Sequence, residues 1–244
     1  MSVQLQSNYL TEKFGKIKFE DNVVRSMSQD STDGDIEIKL VEDEDKDDVI
    51  DLARRFFNRD EPLNEYIGLT GTDGKCPDLE AYILSTLEEG TSVKAVSNGK
   101  LVAFSMNGVV SRHEPNEKSC VDSEKFQLIL DFLLYNTVQC DIFGKYPDIE
   151  KAMTVKIISV DPCMRGRGVA TRLVDETRKI AIEKGCKLMY VECTSYFSAQ
   201  IMKRLGFEKV YSLKYSDYKI DDKIVFDPKK PHEEYTVYVQ KLEN

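Results

Sequence analysis

Between residues 152–161 (AMTVKIISVD) and an amphipathic run opening at Val169, the chain sets Arg165, Gly166, Arg167 and Gly168 in a row. A helix starting there leaves its first amide N–H groups unpaired and carries partial positive charge, and glycines let an anion come close to those amides. Such a turn can hold a phosphate. It is not a P-loop, because no Gly-Lys-Ser or Gly-Lys-Thr occurs, and a dinucleotide fingerprint would need a small residue at Thr171. What remains is R-x-x-G-x-A, made by Arg165, Gly168 and Ala170. Read alone, these residues also describe an ordinary strand-to-helix turn with two solvated arginines.

Acid–base chemistry has a candidate in Asp60-Glu61-Pro62. The proline disfavours helical backbone at Glu61, so the triplet by itself reads as a helix end with two acids facing water. Cys193 has no histidine near it in sequence and reads as a buried thiol at a strand end, while Cys163 reads as exposed. His113 lies in the polar stretch SRHEPNE and reads as solvated; His232, in KKPHEEY, precedes the last apolar alternation. Six scattered cysteines without a C-x-x-C pair, and only two histidines, favour neither a zinc site nor a disulfide framework.

The elements that must position these residues follow from periodicity. Ile36, Ile38 and Leu40 alternate as a half-buried strand does, and Val49, Ala53, Phe56 and Phe57 recur at helical spacing behind an acidic start. Residues 91–97 and 100–110 read as strands joined by an Asn98-Gly99 hairpin turn. A helix is expected over about residues 122–140 with Phe126, Ile129, Leu130, Leu133, Leu134 and Val138 on one face. Residues 152–161 read as a buried strand, and the helix after the glycines turns Ala170, Leu173, Val174, Thr177 and Ala181 inward. Then come a strand at 187–193, a short helix closed by Gly206, and strands at 209–215 and 234–240.

The 244 residues suit one large domain, expected at 35–244, behind a polar, loosely ordered tail at 1–34. A net charge of −9 argues against a nucleic-acid partner and mildly favours a cationic small molecule. No run approaches the roughly 20 apolar residues of a membrane span and the first residues lack a secretory apolar block, so the expectation is a cytoplasmic protein without a membrane partner; a monomer is expected.

The glycine turn with its preceding strand resembles the acetyl-CoA motif of the GNAT superfamily of N-acetyltransferases, and Leu205-Gly206-Phe207 is similar to the end of that superfamily's last core helix. The resemblance covers about residue 35 to the C-terminus. It implies an α/β GNAT (acyl-CoA N-acyltransferase) fold, a mixed central β-sheet with helices on both faces. It also implies acetyl-CoA as co-substrate and no metal. The pyrophosphate would lie on Arg165, Gly166, Arg167, Gly168, Val169, Ala170 and Thr171, with pantetheine along Ile158, Ser159 and Val160. Lys203 or Arg204, otherwise solvated charges like Lys229 and Lys230, could meet the ribose phosphate.

A denser match joins FF-x-x-DEPLN-x-x-x-GL at residues 56–69 to CTSYFSAQIMKRLGF at residues 193–207. Together they resemble the insect-type arylalkylamine N-acetyltransferases. That resemblance implies Glu61 as general base, and Thr194 and Ser198 in acetyl-CoA binding or proton handling. Thr194 stands where that family usually has serine, and Met202 where many superfamily members have a tyrosine acid. Asp60, Tyr66, Phe104 and Tyr196 are candidates for the acceptor pocket. The chemistry requires a base, because an alkylamine with a pKa of about 10.4 arrives protonated and cannot attack a thioester. Expected acceptors are dopamine, serotonin, tyramine, octopamine and histamine. The alternatives are polyamines or agmatine, a long-chain acyl-CoA donor, or a catalytically silent acyl-CoA-binding module.

Overall fold

The computed structural model describes residues 36–114 and 120–243; the expected tail at 1–34 lies outside them. Seven strands make one sheet in the order β1-β2-β3-β4-β5-β9-β6, namely β1 (Ile36–Leu40), β2 (Val93–Ser97), β3 (Lys100–Ser111), β4 (Lys151–Val160), β5 (Leu188–Cys193), β9 (Glu234–Lys241) and β6 (Glu208–Lys214). Only β4 and β5 run parallel, so the sheet is mixed. Two short strands, β7 (Lys219–Ile220) and β8 (Lys223–Ile224), form a separate hairpin that periodicity did not reveal.

The two faces of the sheet carry separate cores. One holds the helices between β1 and β4: α1 (Lys46–Leu52), α2 (Pro62–Ile67), α3 (Pro77–Ser85) and α4 (Glu124–Cys140), with the short α5 (Ile142–Lys145) beyond. The other face is covered by α6 (Val169–Glu183) and α7 (Tyr196–Arg204). Helices thus lie on both faces, as expected. Asn98 (φ 51°) and Gly99 (φ 73°) are both left-handed, which is what a tight β2–β3 hairpin demands.

The structure departs from the periodicity reading at four places. Leu40 is exposed, so only Ile36 and Ile38 of β1 face the core, and the next buried residue is Val41. The first helix does not run evenly: α1 passes through a π turn at Ala53–Phe57 before a last turn at Asn58–Asp60. Pro77 opens α3, a helix absent from the periodicity reading, whose Leu79 and Ile83 are buried. In α4 the buried stripe is Phe126, Ile129, Phe132, Asn136 and Cys140, while Val138 is 50% exposed. The stretch Leu128–Tyr135, apolar except for Asp131, allows several registers; this one buries the large Phe132 ring and satisfies Asn136 through the Phe132 carbonyl and the Tyr211 hydroxyl.

One buried polar network fixes α6 to the sheet. Asn107, beside a β3 bulge, donates from Nδ2 to the Thr91 carbonyl (2.9 Å) and the Thr177 hydroxyl of α6 (3.0 Å), while Ser105 donates to its Oδ1 (2.7 Å). Every polar group of that side chain is used.

Candidate active site

The parallel pairing of β4 with β5 ends at Val155 opposite Val191, although β4 continues to Val160 and β5 to Cys193. The strands part there and leave a rift in the sheet. The Asp161 N–H donates to Val102 of β3, and neighbouring backbone groups point to opposite sides, so the Val160 N–H faces the rift. Ile158, Ser159 and Val160 therefore bound one side of it.

The glycine turn sits at the head of β4. Asp161 accepts the Cys163 N–H (2.8 Å) and caps the turn Pro162–Met164, after which Gly166 (φ 79°) and Gly168 (φ 75°) take left-handed backbone. A Cβ on either would meet nothing within 4 Å, so what glycine supplies is this backbone conformation, not clearance from a neighbour. Val169, Ala170 and Thr171 then form the first turn of α6, with its open amide donors. Arg165 and Arg167 are exposed on the turn. Arg165 donates from Nε to the Val160 carbonyl (3.2 Å) and pairs through Nη2 with Asp60 (2.9 Å), joining the glycine turn to the acidic triplet. These groups fit a diphosphate anion and an extended chain lying in the rift.

Glu61 stands at the break between α1 and α2. Its backbone is extended (φ −67°, ψ 126°), as Pro62 requires, and its Oε2 accepts the Asn64 N–H (2.7 Å) as the N-cap of α2. Unlike an ordinary helix-end acid, it turns inward. Oε1 is buried and meets no donor in bonding geometry among the described residues, although the Thr194 hydroxyl is near enough to favour the charged form. Burial outweighs these contacts and raises the Glu61 pKa above the usual carboxylate range.

Thr194 leaves the end of β5 beside this carboxylate, and its carbonyl accepts the Tyr215 hydroxyl (2.6 Å). Ser198 lies in the first turn of α7, with its Oγ 2.9 Å from the Ser195 Oγ. Cys193 is buried and desolvation pushes its thiol up to about 12, which suits packing and not nucleophilic attack. Met202 is fully buried.

The structure thus gathers Glu61, Thr194 and Ser198 near the C-terminal end of β5 and ties the glycine turn to them through Arg165 and Asp60. Tyr66 is exposed with its ring 6.3 Å from Phe226, beside a shallow pocket bounded by Pro62, Glu65 and Lys229. Lys229 pairs with Glu65 across it. Tyr196 is exposed and donates its N–H to Nδ1 of His232 (3.1 Å), so that imidazole nitrogen is unprotonated; burial lowers the His232 pKa. Phe104 is fully buried within the core of the α1–α4 face. His113 is exposed and far from this cluster in the fold, facing Glu150.

Two residues near the site went unread in the sequence. Tyr215 is buried at the end of β6, and burial, then the charge of Glu61, hold its phenol well above its ordinary pKa. Glu192 points inward from β5. Its signal was available: a lone acid at an inward position of an apolar strand.

The chain matches the family described as "Acetyltransferase (GNAT) family" over residues 51–207. Its structure is similar to that of arylalkylamine N-acetyltransferase 2 from Aedes aegypti (29% identity, TM-score 0.80), covering 85% of this chain and 99% of that one. It is also similar to the Drosophila melanogaster polyamine N acetyltransferase, described as catalysing the formation of N acetylagmatine (26% identity, TM-score 0.76, 85% and 100% covered). A mosquito arylalkylamine N-acetyltransferase like 5b matches equally (26%, 0.76, 85% and 100%).

Proposed function

The chain belongs to the acetyltransferase (GNAT) family, which moves an acetyl group from acetyl-CoA to an amine, and on that footing we propose that its acceptors are small arylalkylamines, with Glu61 as general base. The observation that carries this reading is the inward-turned Glu61 carboxylate, desolvated and one contact from Thr194. Acetyl-CoA supplies the thioester carbon. The chain's residues then have separable tasks. Glu61, its pKa raised toward the operating pH, takes the ammonium proton. The Val160 amide facing the rift donates to the oxygen that gains charge. Arg165, Gly166, Arg167, Gly168, Val169, Ala170 and Thr171 hold the diphosphate, and Ile158, Ser159 and Val160 align the pantetheine. Ser198 is the donor assigned to the departing thiolate, since Met202 has no proton to give.

The test is thiol release by the purified protein from acetyl-CoA and from a long-chain acyl-CoA, against arylalkylamines, polyamines and amino acids. Release that depends on an arylalkylamine and on acetyl-CoA is expected. Acetyl-CoA binding without release on any amine would instead identify an acyl-CoA-binding module. A second reading, with agmatine or a polyamine as acceptor, draws support from the likeness to the Drosophila melanogaster polyamine enzyme, and the same panel separates the two.

A further inference from the structure

Glu192 is a carboxylate that the scheme above leaves idle. Along β5, Leu188 and Tyr190 pack into the core of the α1–α4 face, while Met189, Val191 and Cys193 pack into the other. Alternation therefore puts Glu192 on the face that also receives Leu63 of α2, the helix capped by Glu61. The side chain is partly buried, and Thr137 of α4 donates to its Oε1 at 2.9 Å. No lysine or arginine is among the groups that bias it.

The titratable groups around it are Tyr82 from α3, Cys140 from α4, Tyr190 and Cys193 from β5 and Tyr235 from β9; burial first, and the Glu192 charge after it, raise the pKa of each. Lys145 acts on Cys140, not on Glu192. Tyr235 is 0% exposed and its hydroxyl has no partner in bonding geometry among the described residues, although it lies near enough to Glu192 to favour the carboxylate's charge. A desolvated carboxylate that draws on Thr137 and, in poor geometry, on a fully buried phenol is costly to fold unless something else completes the pair.

The span between the two acids is short. Thr194, which touches Glu61, stands two residues beyond Glu192, roughly 7 Å along the strand. Phe132 bridges the interval, its ring 5.7 Å from that of Tyr215 on the Glu61 side and 5.6 Å from that of Tyr235 on the Glu192 side.

We propose that Glu192, Thr137 and Tyr235 form a second acceptor subsite that receives a hydrogen-bond donor at the far end of the amine, a phenol hydroxyl or a second ammonium. The inference rests on the acetyltransferase reading and names the part of the acceptor that the reading leaves unspecified. One end of the acceptor gives its proton to Glu61 and the other satisfies Glu192, so the pair of carboxylates measures the length of the molecule between them.

The experiment compares kcat/KM for tyramine against phenethylamine, and for putrescine against butylamine, in the wild-type protein and in Glu192→Gln, Tyr235→Phe and Thr137→Val. Glu192→Gln is expected to cut at least one of the two ratios about tenfold, as loss of a charged hydrogen bond does, while phenethylamine and butylamine keep their wild-type values. The affected pair identifies the donor as phenol or ammonium. Tyr235→Phe and Thr137→Val should lower the same ratio less, and they carry the test if Glu192→Gln does not fold. An equal loss on all four acceptors, or unchanged ratios in the variants that fold, overturns the proposal. If none of the four amines turns over, the acetyltransferase reading fails for these acceptors, and calorimetric titration with tyramine and putrescine then decides the subsite. Weaker binding to the variants than to wild type upholds it; equal binding, or none to either, overturns it.

Discussion

At the scale of the residue, Glu61 occupies a place where its own charge is disfavoured, and this has two measurable consequences. As a base it works only when ionised, so kcat/KM should rise with pH through a midpoint above the ordinary value of about 4.5 for a glutamate. A profile already flat from pH 5 upward would remove Glu61 from that role. Glu61→Ala should lower kcat by about a hundredfold or more while acetyl-CoA affinity, read by titration, stays near wild type. Stability should move the other way. Because the folded protein holds the Glu61 proton more tightly than the unfolded chain, the folded state binds more protons between the two pKa values. Stability is therefore lost as pH rises through that window. Glu61→Gln should then melt at a higher temperature than wild type at pH 7, and a lower melting temperature would count against the burial described. The sequence exposed Glu61 through Pro62 and its neighbours. It did not expose Tyr215, because the turn after β6 meets Thr194 only through tertiary packing.

At the scale of the element, the glycine turn and the helix behind it can be tested separately. Gly168→Ala forces a side chain into left-handed backbone at a cost of about 1–2 kcal/mol, and it should raise KM for acetyl-CoA more than it changes kcat. A raised KM for the amine alone would place that turn elsewhere in the reaction. Thr177→Val removes the hydroxyl to which Asn107 donates in a fully buried network, and should destabilise the fold by about 1–3 kcal/mol by urea unfolding. The strands and α6 were readable because alternation and helical spacing are local signals. The inward stripe of α4 was not, since so many of its residues are apolar that only the neighbours choose the register. The π turn at Ala53–Phe57 was invisible because Val49, Ala53, Phe56 and Phe57 fit the spacing of an unbroken helix as well.

At the scale of the whole molecule, the net charge of −9 sets a background field that draws in a cationic amine. Raising salt should accordingly lower kcat/KM for the amine at saturating acetyl-CoA, and a flat or rising response would assign attraction to the pocket alone. The sequence anticipated the division of helices between two faces through the order of its elements, but not where the sheet opens. That opening has a mechanical side. Four residue pairs, from Ala152 with Leu188 to Val155 with Val191, stitch two panels of strands together. Past the last stitch each panel is still braced on its outer edge, β4 by β3 up to Val160 and β5 by β9 up to Cys193. The protein can thus keep a gap through the middle of its sheet without leaving either lip unsupported.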